Sequence, residues 1–229
     1  MKKSIKNTRS IAVVIMGATG AVGGETLKEL LKFSHIEQLT LLGRRTLPAI
    51  ANSFVKQYAI DVFNPDTYKK FIAGHSVAIC TLGVGEPSKT SKENFVKIDK
   101  LAVLDFAKVC KEEGVAHFEL LASVGINSKS SSFYLRTKGE LVDALIALNF
   151  ERLSIFKPSM ILTPSNRYGL SQAIILRVWP WLKPILFGRL HKYRGVKVEK
   201  LGKAIAINIV NEKTGYEELE WDDFQILSR

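Results

Sequence analysis

Tyr134 and Lys138 stand four residues apart. On a helix that spacing puts both side chains on one face. A phenol beside an ammonium can serve as a general acid toward a carbonyl oxygen, because a neighbouring cation lowers the phenol's ordinary pKa of about 10 toward the working range. Ser123, upstream in the chain, could hydrogen-bond the same oxygen. Lys138 could also reach a ribose hydroxyl. A tyrosine–lysine pair at this spacing arises readily by chance in a chain with six tyrosines, so its weight comes from the elements around it.

A second cluster stands near the other end of the chain. Gly17-Ala18-Thr19-Gly20-Ala21-Val22-Gly23 has glycines at every third position. Gly17 permits a tight turn, Gly20 lets backbone approach a pyrophosphate, and Gly23 lets a helix pack close to a strand. Thr19, Ala21 and Val22 complete the turn, and the helix that follows offers its N-terminal N–H groups to phosphate. The expected ligand is a dinucleotide. An NAD site wants an acid about 20 positions further on, but the sequence there is Leu41-Leu42-Gly43-Arg44-Arg45. Two guanidinium groups suit a 2′-phosphate, so NADP(H) is the expected cofactor. Asp61 is placed to meet the adenine amine.

The elements needed to position these groups alternate. Strands are expected at Ile11–Met16, Leu39–Leu42, Phe54–Asp61, Val77–Leu82, Val115–Leu121 and Leu153–Phe156. Helices are expected at Ala21–Phe33, from Asn64-Pro65 through Ile72, at Phe95–Lys111 with Gly114 as its C-cap, and at Tyr134–Leu148. Strands alternating with helices predict an α/β fold, a Rossmann-like doubly wound parallel sheet. Ser123 then closes a strand at its C-terminal end, where ligands bind in such sheets, and the Tyr134 helix follows it. After Pro158 the alternation loosens into apolar helices over 168–187 and Val198–Asn211, read as a small C-terminal helical cap. The whole of 1–229 is expected to be one domain, with a nucleotide-binding core over 11–162 and cap and tail over 163–229.

Composition narrows the class. Hydrophobic residues are 46% and charged residues 24% of the 229, which excludes a disordered chain. Two cysteines, Cys80 and Cys110, cannot build a disulfide framework, and the four histidines lack ligand spacing, so no metal is expected. Met1–Ser10 is too polar for a secretory leader, and the apolar stretch 174–188 is interrupted by charges and prolines, so a soluble cytoplasmic protein is expected. The net charge of +11 concentrates between Arg167 and Lys200, interleaved with Trp179, Trp181 and Phe187. That pattern allows a solvated face or a peripheral membrane contact through 174–194. Without an accompanying nucleic-acid motif, nucleic acid is not an expected partner.

Taken together, the segments GATGAVGGETLKELL (17–31), LLGRR (41–45), CTLG (80–83), GVAHFELLASVG (114–125), YLRTKGE (134–140) and LSIFKPSMIL (153–162) resemble the short-chain dehydrogenase/reductase superfamily in its atypical branch. They are closest to the HIV Tat-interacting-protein oxidoreductase-like NAD(P)H-binding group. The resemblance spans about 11–162. It implies NADP(H) binding and the Ser–Tyr–Lys roles on Ser123, Tyr134 and Lys138. It also implies a nicotinamide side lined by the segment following Pro158. Val62, Leu82, Gly83 and Pro158 complete the expected cofactor-binding set. The chain departs from the main short-chain pattern in two places: it has no Thr-Gly-x-x-x-Gly-x-Gly turn, and Thr81-Leu82-Gly83-Val84-Gly85 stands where Asn-Asn-Ala-Gly is usual. Two functions follow. One is hydride transfer to or from a small carbonyl or alcohol with Tyr134 as general acid/base, by a monomer or homodimer. The other is a non-catalytic NADPH-binding regulator acting through a protein partner or membrane surface.

Overall fold

The computed structural model describes residues 10–48, 50, 52–85, 87–163 and 188–229. Strand β1 (Ile11–Met16) is apolar throughout and buried beyond Ile11. A strand with no polar face must be covered on both sides, which a central position in a parallel sheet provides. Its side chains alternate accordingly. Val13 and Ile15 join one core cluster and Val14 and Met16 the other.

The glycine turn leads into α1 (Ala21–Leu30), which buries Val22, Thr26, Leu27 and Leu30. Next come β2 (Ile36–Gly43), β3 (Val55–Ala59) and β4 (Val77–Cys80). A long helical stretch then runs through α2 (Lys92–Val96), a π-helical turn (Lys97–Ala102) and α3 (Val103–Glu112). Ser91 caps it by accepting from Asn94 N–H, and Gly114, at φ +83°, ends it as expected. β5 (His117–Leu121), α4 (Phe133–Ala147) and β6 (Arg152–Phe156) complete the core. Short strands β7 (Met160–Leu162) and β8 (Gly195–Lys197) pair with each other. They lead to α5 (Val198–Asn208), β9 (Gly215–Leu219) and α6 (Trp221–Leu227).

The main sheet has the order β3-β2-β1-β4-β5-β6-β9, with every pairing parallel. The expected Rossmann-like architecture is therefore present, with six of its strands in the doubly wound order. Residues 195–229, expected as part of a cap, are built into the layers themselves. β9 extends the sheet beyond β6, and α5 packs on α1. That packing is close: a Cβ at Gly202 would stand 2.8 Å from the Thr26 backbone nitrogen. The helix expected over 168–187 lies outside the described residues, as does 174–187 of the expected membrane contact.

One expected helix is not formed. Residues 64–72 make two separate 3-10 turns, Pro65–Thr67 and Lys69–Phe71. Side chains take the backbone partners that a helix would use. Asn64 accepts from Asp66 N–H, and the Thr67 hydroxyl bonds the Asp61 and Asn64 carbonyls.

Candidate functional site

The strand order reverses between β1 and β4, and a crevice opens at their C-terminal ends. The turn after β1 forms its floor. Gly17 sits at φ +102°, and its carbonyl accepts from Gly20 N–H at 2.9 Å. A Cβ on Gly17 would lie 2.6 Å from Thr81 Oγ1 and 2.8 Å from Leu82 N, and one on Gly23 would strike the Gly17 carbonyl. Both glycines are thus required by close backbone approach. No side chain caps α1, so its N-terminus presents backbone and positive dipole to the crevice.

Two adjoining lobes fill the crevice. One, of about 270 Å³, is lined by Thr19, Gly20, Ala21, Gly43, Arg44, Arg45, Val62, Leu82 and Gly83 among others. The other, of about 250 Å³, shares Gly20, Ala21, Leu82 and Gly83 and continues to Val22, Asp99, Ala122, Tyr134, Lys138, Ile161 and Thr163. Gly17, Thr19, Gly20, Ala21 and Val22 of the expected glycine loop, the arginine pair, Val62, Leu82, Gly83, Tyr134 and Lys138 therefore converge on one cleft.

Four expected site residues are not among its lining: Gly23, which packs behind the turn against the Gly17 carbonyl, and Asp61, Ser123 and Pro158. The Asp61 carboxylate turns back to accept Phe63 N–H at 2.9 Å, closing its own strand-end turn. Ser123 is half-buried beside Ala122, which does line the cleft, and its hydroxyl is 3.5 Å from the Val124 carbonyl. Pro158 is buried, and its carbonyl accepts Val124 N–H at 3.0 Å. It fastens the loop after β5, and Ile161 and Thr163 beyond it reach the cleft.

Asp99 was absent from the sequence-derived site. It lies on the π turn, 2% exposed, and π turns often mark functional sites. Its Oδ1 is 2.7 Å from Lys138 Nζ, and its Oδ2 accepts Val84 N–H at 2.7 Å. Lys138 is itself 5% exposed, so the expected ammonium is present but held by a buried carboxylate. Gly83 makes room, since a Cβ there would be 3.0 Å from Asp99 Oδ1. Asp99 falls on the helical stripe of Phe95, Val103 and Phe106, and a charged residue in an apolar stripe is the signal that could have revealed it.

The Tyr134 ring packs on Phe95, with centroids 5.3 Å apart. Behind Lys138, α4 presses directly on the Asn127–Ser128 backbone at Gly139, which fixes where the helix start lies. Burial pushes the Cys80 thiol, at the end of β4, up to about 12, so it is not a nucleophile near neutral pH. A larger concavity, of about 710 Å³, opens at the N-terminal ends of the strands, around Gly74, His117, Arg152 and Lys213. It lacks the glycine turn and the tyrosine–lysine pair. Ligands of such sheets bind at the opposite edge.

A parallel sheet in this order, with a glycine turn and an uncapped helix at its switch point, defines a Rossmann-type dinucleotide-binding protein. The sequence pattern of the NAD(P)H-binding family matches residues 17–149, and the chain belongs to that family. It is 33% identical to the rat protein HTATIP2 over 214 residues, covering 91% of this chain and 85% of that one. It is 32% identical to the mitochondrial protein FMP52 of Candida albicans over 178 residues, covering 76% of this chain and 77% of that one. Among solved structures, MoeE5 in complex with UDP-glucose and NAD superposes with a TM-score of 0.68 at 16% identity, covering 91% of this chain and 76% of that one. The dTDP-glucose 4,6-dehydratase DesIV from Streptomyces venezuelae, with NAD bound, gives 0.68 at 13% identity, covering 95% and 80%. These likenesses establish a Rossmann-like fold in an NAD(P)H-binding family.

The relatives correct the expected cytoplasmic location. FMP52 proteins of Candida albicans, Meyerozyma guilliermondii, Scheffersomyces stipitis and Emericella nidulans are named mitochondrial, which points away from the cytoplasm. The criteria for a secretory leader and for a membrane-spanning pattern do not address an organellar destination.

Proposed function

We propose that the protein is an NADP(H)-dependent oxidoreductase of the short-chain type, acting on a small carbonyl or alcohol. The observation that carries this reading is the convergence of Tyr134 and Lys138 on a cleft continuous with the α1 N-terminus and the Arg44–Arg45 pair. The residues fit the cofactor: the turn at Gly17 and Gly23 has no room for side chains, and α1 ends bare toward the cleft. Gly20, Ala21 and Val22 hold the pyrophosphate against the helix dipole. Arg44 and Arg45 bind the 2′-phosphate, and Val62 borders the same lobe. When bound, the nicotinamide supplies the hydride. Tyr134 Oη gives its proton to the carbonyl oxygen in reduction and takes it back in oxidation, and Lys138 holds the ribose. The FMP52 relatives support a mitochondrial location for this activity.

The experiment is a fluorescence titration of the purified chain with NADPH and with NADH, followed by a carbonyl screen with Tyr134→Phe. A charged hydrogen bond contributes about 1.5–3 kcal/mol, so the arginine pair predicts roughly 10- to 150-fold preference for NADPH, lost in Arg44→Ala/Arg45→Ala. Unchanged turnover in Tyr134→Phe removes the tyrosine from the mechanism.

The placement of Ser123 off the cleft lining favours a second reading: a regulator that binds NADPH and signals to a protein partner. Its mark is a partner affinity that changes with NADPH, since coupling between sites is reciprocal. Equal affinity with and without NADPH rules it out.

A further inference from the structure

Around the tyrosine and lysine, the cleft is lined almost wholly by uncharged groups. Thr81, Val84, Leu121, Ala122, Ile161 and Thr163 carry no charge, and among the described lining residues Asp99 and Lys138 are the charged pair. A lysine alone would leave this lobe at +1. The Asp99 carboxylate, 2.7 Å away, brings it to zero.

The carboxylate is held there on every side. The π turn aims it into the cleft, Val84 N–H fixes its second oxygen at 2.7 Å, and the bare backbone of Gly83 admits it. Both partners are almost fully buried, so salt screens their fields poorly. The two redox forms of a nicotinamide dinucleotide differ by one positive charge on the ring. The net charge of this lobe therefore discriminates between them.

Resting on the dinucleotide reading above, we propose that Asp99 sets the protein's preference between oxidised and reduced cofactor. By neutralising Lys138, it lets the cleft accept the cationic oxidised form. Asp99 is thus a positioning and specificity residue. It holds the lysine that meets the ribose and fixes the electrostatic balance under which the ring binds. A unit charge acting across roughly 10 Å at an effective dielectric of about 20 changes a binding constant by roughly tenfold.

The test measures equilibrium dissociation constants for NADPH by fluorescence and for NADP+ by calorimetry, at one pH and ionic strength. Asp99→Asn keeps an acceptor for Val84 N–H but removes the charge. It is expected to weaken NADP+ about tenfold relative to NADPH. Lys138→Met leaves the carboxylate uncompensated and is expected to move the ratio the opposite way. That variant alone still reads the sign if Asp99→Asn does not fold. A purely structural role would weaken both forms alike, so an unchanged ratio, or a shift in the same direction in both variants, overturns the inference. Binding of neither form by the wild-type protein overturns the dinucleotide reading itself, which is a different result from binding with an unmoved ratio.

Discussion

Glu119 lies in the middle of β5, 1% exposed. Its Oε1 accepts from Asn208 Nδ2 at 2.8 Å, and no donor meets Oε2 among the described residues. Burial pushes its carboxyl from 4.5 up to about 8, against the opposing pull of Asn208 and Arg152. His117, on the same face of the strand, is pushed from 6.5 down to about 3, by burial first and then by Arg152. The folded protein keeps the Glu119 proton up to about pH 8, while the unfolded chain releases it near 4.5. Between those values the unfolded state binds fewer protons, so Glu119 makes stability fall as pH rises, by about 1.4 kcal/mol per pH unit and roughly 5 kcal/mol in full. His117 acts oppositely. The unfolded state binds the extra proton between pH 3 and 6.5, so its contribution is lost as pH falls through that window. The two slopes cancel between about 4.5 and 6.5. What remains is an alkaline limb from 6.5 to 8 due to Glu119 and an acid limb below 4.5 due to His117. Urea denaturation of the wild type and Glu119→Gln at half-unit steps from pH 4 to 9 reads this directly. Glutamine mimics the protonated acid, so the stability difference should swing by roughly 5 kcal/mol in favour of Gln between pH 4.5 and 8.5. Parallel curves across that range would refute the claim that Glu119 is buried with its proton.

Two further outcomes follow from named contacts. The Arg152 guanidinium is 4% exposed and donates to the Asn208 and Asn211 carbonyls, to Asn208 Oδ1 and to Glu217 Oε1. Arg152→Met should therefore cost about 3–5 kcal/mol by leaving a buried network half-made. Thermal melting would show this as a fall of roughly 6–20 °C, with NADPH affinity unchanged because the cofactor cleft is at the other end of the strands. Gly17→Ala places a Cβ 2.7 Å from the Thr81 carbonyl carbon at φ +102°. Strain of about 1–3 kcal/mol is expected, with a marked loss of affinity in NADPH titration and a melting shift of roughly 2–12 °C.

The sheet was legible because each core strand carries its own evidence. Ile11–Met16 and Val77–Cys80 are apolar runs that only a doubly covered strand can use. β9 was missed for the opposite reason. Gly215–Leu219 reads Gly-Tyr-Glu-Glu-Leu, with no apolar run to mark a strand. One of its glutamates, Glu217, is half-buried against Arg152 and Ser154 at 2.6 and 2.7 Å. That pairing joins residues more than sixty positions apart and leaves no local trace. The 64–72 segment failed differently: proline at a first turn is a fair helix signal, but Asn64 and Thr67 use their side chains to close the backbone into tighter turns.

The site divides along the same line. Glycines at every third position and a tyrosine–lysine pair at helical spacing define their chemistry within a few residues; Gly17, Gly20, Tyr134 and Lys138 line the cleft, and Gly23 packs behind the turn against the Gly17 carbonyl. Asp99 and Lys138 are 39 positions apart and meet only because α4 packs beside the π turn. Their pairing matters for how the local motif should be interpreted. The spacing of Tyr134 and Lys138 suggests a phenol tuned by an unopposed cation, but the folded chain supplies that cation together with its counter-ion. A motif establishes which groups are near one another along the chain. The net field at the reacting atoms depends on every charge the fold brings to them, so Asp99 belongs in any account of what Tyr134 and Lys138 can do.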